Sequence, residues 1–298
     1  MLGHGLVCLN DRVVPTPPPF THSRIASSTN RSLPSFLQDR FDYANNHWAP
    51  AAKKFGALTT DPPLSALGHR QAKETADYLV KTIGKVNGSG TGPNEIAKIM
   101  VSPYLRVIQT ACPTSDAFDL PLSIEYGLSE AHATPGNVLP SPEERFAYFP
   151  HVDPTYQSLH QVEPTPGFSC PKTGHPCEAF AGHYTKRMGA FAKKIEEHHR
   201  GETIVCFSHA ASVALIAALL KCSMRELKFA ACGVYELERI NEGPWRMVNN
   251  GDSNPHVSET SPTTYPWGFS EKHFNEVDGG RYYGESEGVD LDYFVPSS

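Results

Sequence analysis

Glu202-Thr203-Ile204-Val205-Cys206-Phe207-Ser208-His209-Ala210-Ala211-Ser212 is the stretch on which the reading of this chain turns. Thr203 to Phe207 is a short, apolar, β-branched run after Arg200-Gly201, and it predicts a buried strand. From Ala210 to Leu220 the residues are apolar nearly all round and rich in helix formers, which predicts a buried helix. His209 therefore stands where a strand hands over to a helix. In an α/β sheet that junction lies at the carboxyl edge, where free N–H groups and the positive end of the helix dipole favour an anion. Taken alone, His209 fits a satisfied structural residue as well as a catalytic one.

Working outward, the same hand-over recurs twice. Ile96 to Val101 predicts a strand, and Ser102-Pro103 then opens a helix, with Ser102 as cap and the proline in its first turn. That helix carries Arg106 and is expected to end before Pro113. Leu122 to Tyr126 predicts a further short strand, leading into Gly127-Leu128-Ser129-Glu130. If these strands share one parallel sheet, Arg106 and His209 project from the same edge. Arginine offers a planar fork of donors for phosphate or carboxylate, and histidine can act as nucleophile, acid or base near neutral pH. Glu130 could supply a proton to a leaving oxygen. The plainer alternative has Arg106 solvated on its helix and Glu130 as a surface charge.

The rest of the chain frames these junctions. Residues 1–60 predict an irregular segment: Met1 to Leu9 could form a short strand, but Pro15, Pro17, Pro18 and Pro19 stop any regular element soon after. After Asp61-Pro62-Pro63, Ser65 is the expected cap of a helix whose apolar stripe is Leu67, Ala72, Ala76, Leu79 and Val80. Residues 131–176 are dense in proline, with Phe146, Tyr148, Phe149, Tyr156 and Phe168 interspersed, and are expected to form a lid over the site. Glu178 to His199 predicts a helix. Ala230 to Leu237 and Trp245 to Val248 predict a closing strand pair with a turn at Asn241-Glu242-Gly243. Residues 251–298 predict an irregular tail lying on the domain. Alternation of strands and helices from 64 to 237 gives the expected fold class: a three-layer α/β/α sandwich with a mostly parallel sheet.

Composition narrows the functions. The 298 residues carry a formal charge of -6 with no long Lys/Arg run, which argues against a nucleic-acid partner. No apolar stretch approaches the roughly 18 residues of a membrane span, so no membrane partner is expected. Residues 1–30 lack the basic start and apolar core of a secretory leader. Seven cysteines, an odd number, favour a reducing, cytoplasmic setting over a disulfide framework. Cys170 and Cys177 with His175 between them fit no standard zinc knuckle, and no second pair follows. Neither a metal nor a cofactor is expected.

Four motifs now carry a resemblance. Ser102-Pro103-Tyr104-Leu105-Arg106-Val107-Ile108-Gln109-Thr110-Ala111 resembles the second-arginine motif of the histidine phosphatase superfamily, the phosphoglycerate-mutase-like fold, and Phe207-Ser208-His209-Ala210-Ala211-Ser212 resembles its second-histidine motif. Leu64 to Ala72 is similar to the family's helix opening, and Gly127 to Glu130 to its acid-bearing loop. The similarity spans residues 58–250. The gap before Leu64 and the lid-like insert resemble the branch of ubiquitin-associated, SH3-containing phosphatase domains and ecdysteroid-phosphate phosphatases. The resemblance implies a phosphomonoester hydrolase: a histidine attacks phosphorus, arginines and a second histidine hold the oxygens, and a carboxylic acid protonates the leaving group. It assigns Arg106, His209 and Glu130 to the second arginine, second histidine and acid, and His4 to the nucleophile.

The N-terminus departs from that pattern. The family's first strand ends in Arg-His-Gly, whereas here only Met1 and Leu2 precede Gly3-His4-Gly5. The first strand is thus expected to be truncated, or, if Leu6 to Leu9 is the strand, His4 stands at its wrong end. The alternatives are a hydrolase with a degenerate motif, from a truncated or a mis-spliced reading frame, and a pseudophosphatase that binds phosphate or acts as a scaffold; a phosphomutase is a third. Expected partners are a small-molecule or protein phosphomonoester, with homodimerisation left open.

Overall fold

The computed structural model describes residues 3–10, 61, 63–64, 66–83, 96–130, 140–160, 178, 183–260 and 290–297, the first of these as backbone. Strands β1 (Gly3–Asn10), β2 (Ile96–Val101), β3 (Leu122–Ile124), β4 (Thr203–Ser208), β5 (Gly233–Ile240) and β6 (Arg246–Asn249) form one sheet in the order β3-β2-β4-β1-β5-β6. The first four are mutually parallel, while β5 and β6 add an antiparallel hairpin at one side. Asn241 and Glu242 make its turn with φ of 50° and 60°, the left-handed values a tight hairpin demands.

Helices cover both faces, as expected from the alternating pattern. Alternate residues of the buried strands point opposite ways. Ile204 and Cys206 pack with Met100 and Leu237 against α4 (Thr185–His198) and α5 (Val213–Leu220). Val205 and Phe207 pack with Ile99 and Val101 on the other face, against α1 (Ala66–Ile83) and α2 (Leu105–Phe118). Helix α1 buries the stripe Leu67, Ala72, Ala76 and Leu79. Helix α2 does not stop at Pro113 but runs through it to Phe118. Fixed φ suits a helix, and burial of Ala111 and Phe118 on either side outweighs the one lost backbone bond.

Two expectations change here. The first strand is not missing: Leu6 to Asn10 pair with Ile204 to Ser208 on one side, and Gly3 to Asn10 with Ile240 to Gly233 on the other. Without that insertion β4 and β5 would each present an unpaired buried edge. The stretch after Glu130 also has more order than its prolines suggest. Its described part holds α3 (Pro142–Phe146), closed by a capping box between Ser141 and Glu144. Val152 then joins the sheet margin, where Leu122 donates to His151 at 2.8 Å and receives a bond from Asp153 at 2.9 Å. A five-residue helix and a single bridge are too short to leave a period in the sequence. Residues 131–139 and 161–177 lie outside the described residues.

Of the tail, residues 250–260 rest on α1. Ser258 donates its N–H to Glu74 at 2.9 Å, Gln71 donates to the Glu259 carbonyl at 2.8 Å, and His256 stacks on Tyr78.

Candidate functional site

Strands β2 and β4 are neighbours in register, Val101 beside Phe207, so both chain continuations leave the sheet at the same edge. Ser102 N donates to the Phe207 carbonyl at 3.0 Å and carries that alignment one residue further. His209 follows directly and is wholly buried. Before α5 begins, the chain makes one tight turn, Ala210–Ser212, in place of the continuous helix expected from Ala210. Ser212 lies within hydrogen-bond reach of Ser208 across that turn, and Ser208 also donates to the Leu128 carbonyl at 2.8 Å.

His209 is held at both ring nitrogens. Its Nε2 lies 2.7 Å from Ser102 Oγ, and Arg106 Nη2 lies 2.9 Å from its Nδ1. Guanidinium only donates, so Nδ1 accepts, the ring proton sits on Nε2, and Ser102 accepts it. Glu130 Oε2 is 3.5 Å from the same Nδ1 and 3.8 Å from Arg106 Nη2. Arg106, Glu130 and His209 therefore form one cluster, with Arg106 and Glu130 about a fifth exposed and His209 closed off beneath them. Tyr104 meets the His209 ring edge-on at 5.0 Å, and the Arg106 guanidinium stacks over Tyr104 at 4.7 Å. Burial raises the Tyr104 hydroxyl above its ordinary range, so it stays neutral.

Chemically, the cluster offers one exposed guanidinium edge, one oriented imidazole and one carboxyl group, all facing a single carboxyl edge. That set suits a tetrahedral anion with a leaving group on one oxygen. Among the described residues no group of three or more His, Cys, Asp or Glu is arranged to hold a metal ion. Cys170, His175 and Cys177 lie outside them.

A scan of family models matches residues 47–252 to the histidine phosphatase superfamily (branch 1). The chain belongs to that superfamily. No curated protein matches its sequence. Among solved structures it is similar to the ecdysone phosphate phosphatase of Bombix mori in complex with tungstate, at 18% identity and a TM-score of 0.48, over 87% of this chain and 94% of that one. A phosphoserine phosphatase mutant of Entamoeba histolytica in complex with phosphoserine matches at 15% identity and 0.43, over 83% and 96%. YhfR of Bacillus stearothermophilus matches at 16% and 0.46, over 86% and 100%.

For a member of this superfamily, the backbone register of β1 is unexpected. Asn10 lies beside Ser208, one residue before His209, whereas His4 lies opposite Arg239 at the other end of the strand. At about 3.3 Å per residue this separates the His4 backbone from the clustered edge by roughly 20 Å. The register thus gives the alternative in which Leu6 to Leu9 is the strand, and it does not bring His4 to Arg106 and His209. His22 and His47 lie outside the described residues.

Several residues that shape the site carry no sequence signal of their own. Ser102 is not the cap of α2: that position falls to Tyr104, which makes no side-chain cap bond, and Leu105 N donates instead to Asp61 Oδ1 at 2.7 Å. The loop before Glu130 is held by buried Arg187, which donates to the carbonyls of Gly127 at 2.8 Å and Ser129 at 3.2 Å. Two further bonds of 2.8 and 2.7 Å tie Arg187 to Glu178.

Proposed function

We propose that the chain binds the phosphoryl group of a phosphomonoester between Arg106 and His209, and that it serves as a phosphatase of its superfamily. The 2.9 Å contact between Arg106 Nη2 and His209 Nδ1 carries this reading, because it puts two residues from separate strand ends on one anion-sized spot. In the hydrolytic cycle an imidazole nitrogen bonds to phosphorus while the ester P–O bond breaks. Glu130 gives its proton to the leaving oxygen. Water then splits the phosphohistidine and returns a proton to Glu130, releasing phosphate. Arg106 neutralises charge on the equatorial oxygens throughout, and His209 donates to them once its Nδ1 carries a proton, roles that depend on positioning more than on covalent chemistry.

A second reading, a protein that binds phosphomonoesters without turning them over, is favoured by one observation: His4 pairs with Arg239, away from the cluster. Both readings share the anion site and differ in the nucleophile. The test measures vanadate binding and turnover of an aryl phosphate in the same preparations. Arg106→Ala and His209→Ala should each weaken vanadate about a hundredfold, and His4→Ala should leave it unchanged. Turnover that survives in His4→Ala supports the hydrolase with its nucleophile elsewhere. Vanadate binding without turnover selects the binding protein. Unchanged vanadate affinity in Arg106→Ala would sink both.

A further inference from the structure

The turn between β2 and α2 carries Ser102 under His209, Tyr104 against its edge, and Arg106 one residue into the helix. Helix α2 has no capping side chain of its own, and Tyr104 places an aromatic ring where a cap would stand. The peptide groups flanking Tyr104 are bonded from far away instead. Leu105 N donates to Asp61 Oδ1 at 2.7 Å. The Pro103 carbonyl receives two bonds from Arg145, from Nε at 3.1 Å and from Nη2 at 2.8 Å. Arg145 Nη2 also pairs with Asp61 Oδ2. One guanidinium and one carboxylate thereby close a ring around the turn.

Both partners are buried, with side chains 9% and 4% exposed. A buried ion pair contributes little net stability beside an apolar replacement, since desolvation offsets most of its attraction. What it does impose is direction, because a guanidinium fork and a carboxylate accept only a narrow set of arrangements. Arg145 sits on α3, within the segment that follows Glu130. The far end of that segment is fastened too. Fully buried Glu125 accepts from Tyr156 at 3.1 Å, Ser158 at 2.5 Å, Leu159 N at 2.8 Å and His160 N at 3.2 Å. Residues 140–160 are therefore bonded to the loops that carry Arg106 and Glu130.

We infer that Arg145 is a positioning residue for Arg106, acting through Asp61 and the Pro103–Leu105 backbone. The inference rests on the anion-site reading above. Arg145 makes its bonds to Asp61 and Pro103, so its effect on a bound anion passes through the turn. It also means that changes in this segment reach phosphoryl binding itself and are not confined to the leaving group.

The test is a double-mutant cycle on vanadate affinity in the full chain, with melting temperature measured alongside. Arg145→Met should weaken vanadate roughly tenfold when Arg106 is present, and by no more than about twofold in the Arg106→Ala background. Its effect on melting temperature should be the same in both backgrounds. A residue that only stabilised the fold would lower the melting temperature but show no dependence on Arg106. Arg145→Lys keeps the charge beside Asp61 and loses the fork to Pro103, so it should fall between; it carries the cycle if the Met variant does not fold. Unchanged vanadate affinity in the Lys and Met variants overturns the inference. So does an equal loss with and without Arg106. Arg106→Ala binding vanadate as tightly as the unmutated chain would overturn the anion-site reading itself, a result that leaves a different signature from either of these.

Discussion

His209 has both ring nitrogens committed inside the protein, and that decides what it can offer a ligand. Nε2–H goes to Ser102, leaving Nδ1 as the nitrogen shared by Arg106 and, 3.5 Å away, Glu130. An incoming phosphoryl oxygen would compete for Arg106 Nη2 and turn Nδ1 from acceptor to donor if a proton arrives with it. Ser102 is what keeps the ring aimed while this happens. Ser102→Ala leaves a buried N–H without an acceptor, at a cost of about 1–3 kcal/mol, or lets the ring tilt. The expected result is a lower melting temperature together with a several-fold weaker vanadate affinity, both largely recovered by Ser102→Thr. An alanine variant with unchanged vanadate binding would show that Arg106 alone orients the ring.

Near Glu130 the elements meet closely. The tight turn Tyr126–Leu128 passes so near α4 that a Cβ on Gly127 would come within 2.4 Å of the Phe191 ring. Phe191 is fully buried and has nowhere to retreat. Arg187, one turn earlier on α4, holds the carbonyls of the same loop, so the helix grips it at two levels. Gly127→Ala is therefore an overpacking substitution, expected to cost about 1–3 kcal/mol. It should also move Glu130, which is three residues on, and slow any turnover more than it weakens vanadate. Thermal unfolding checks the first part, and the ratio of the two kinetic losses checks the second. A melting temperature equal to that of the unmodified chain would mean that the loop yields without resistance.

At the scale of the whole molecule, two histidines outside the site contribute a pH dependence to stability. Burial, helped by Arg187 and Lys194, lowers His160 to about 4, and burial likewise lowers His256. Each prefers to be neutral in the fold and takes up a proton more readily when unfolded, near pH 6.5. Stability from these groups is thus complete above about pH 6.5 and is lost as the pH falls toward 4. Melting temperatures measured between pH 7.5 and 4.5 should fall with acid, and His160→Gln should flatten the slope. An unchanged slope in that variant would remove His160 from the account. Among the described residues Cys112 and Cys222 are free thiols, and burial pushes Cys112 up to about 12 and Cys222 up to about 11. Neither of these two thiols is a ready nucleophile near neutral pH.

The amino-acid sequence by itself determined the local elements that carry the chemistry. Strands at Ile96–Val101 and Thr203–Ser208, each followed by a helix, are legible because burial on both faces leaves an unbroken apolar run and helix formers follow at once. Arg106, Glu130 and His209 were legible as residues of the right kind just past strand ends. Only the tertiary structure decided which of them meet. Whether His4 belongs with them depended on how β1 slides between β4 and β5, and Gly3-His4-Gly5-Leu6-Val7-Cys8-Leu9 has no alternation to fix a register. The cap of α2 from Asp61, the grip of Arg145 on Pro103 and the fit of Gly127 under Phe191 join residues at least 40 positions apart. Such contacts arise from the packing of layers, to which local propensity is blind.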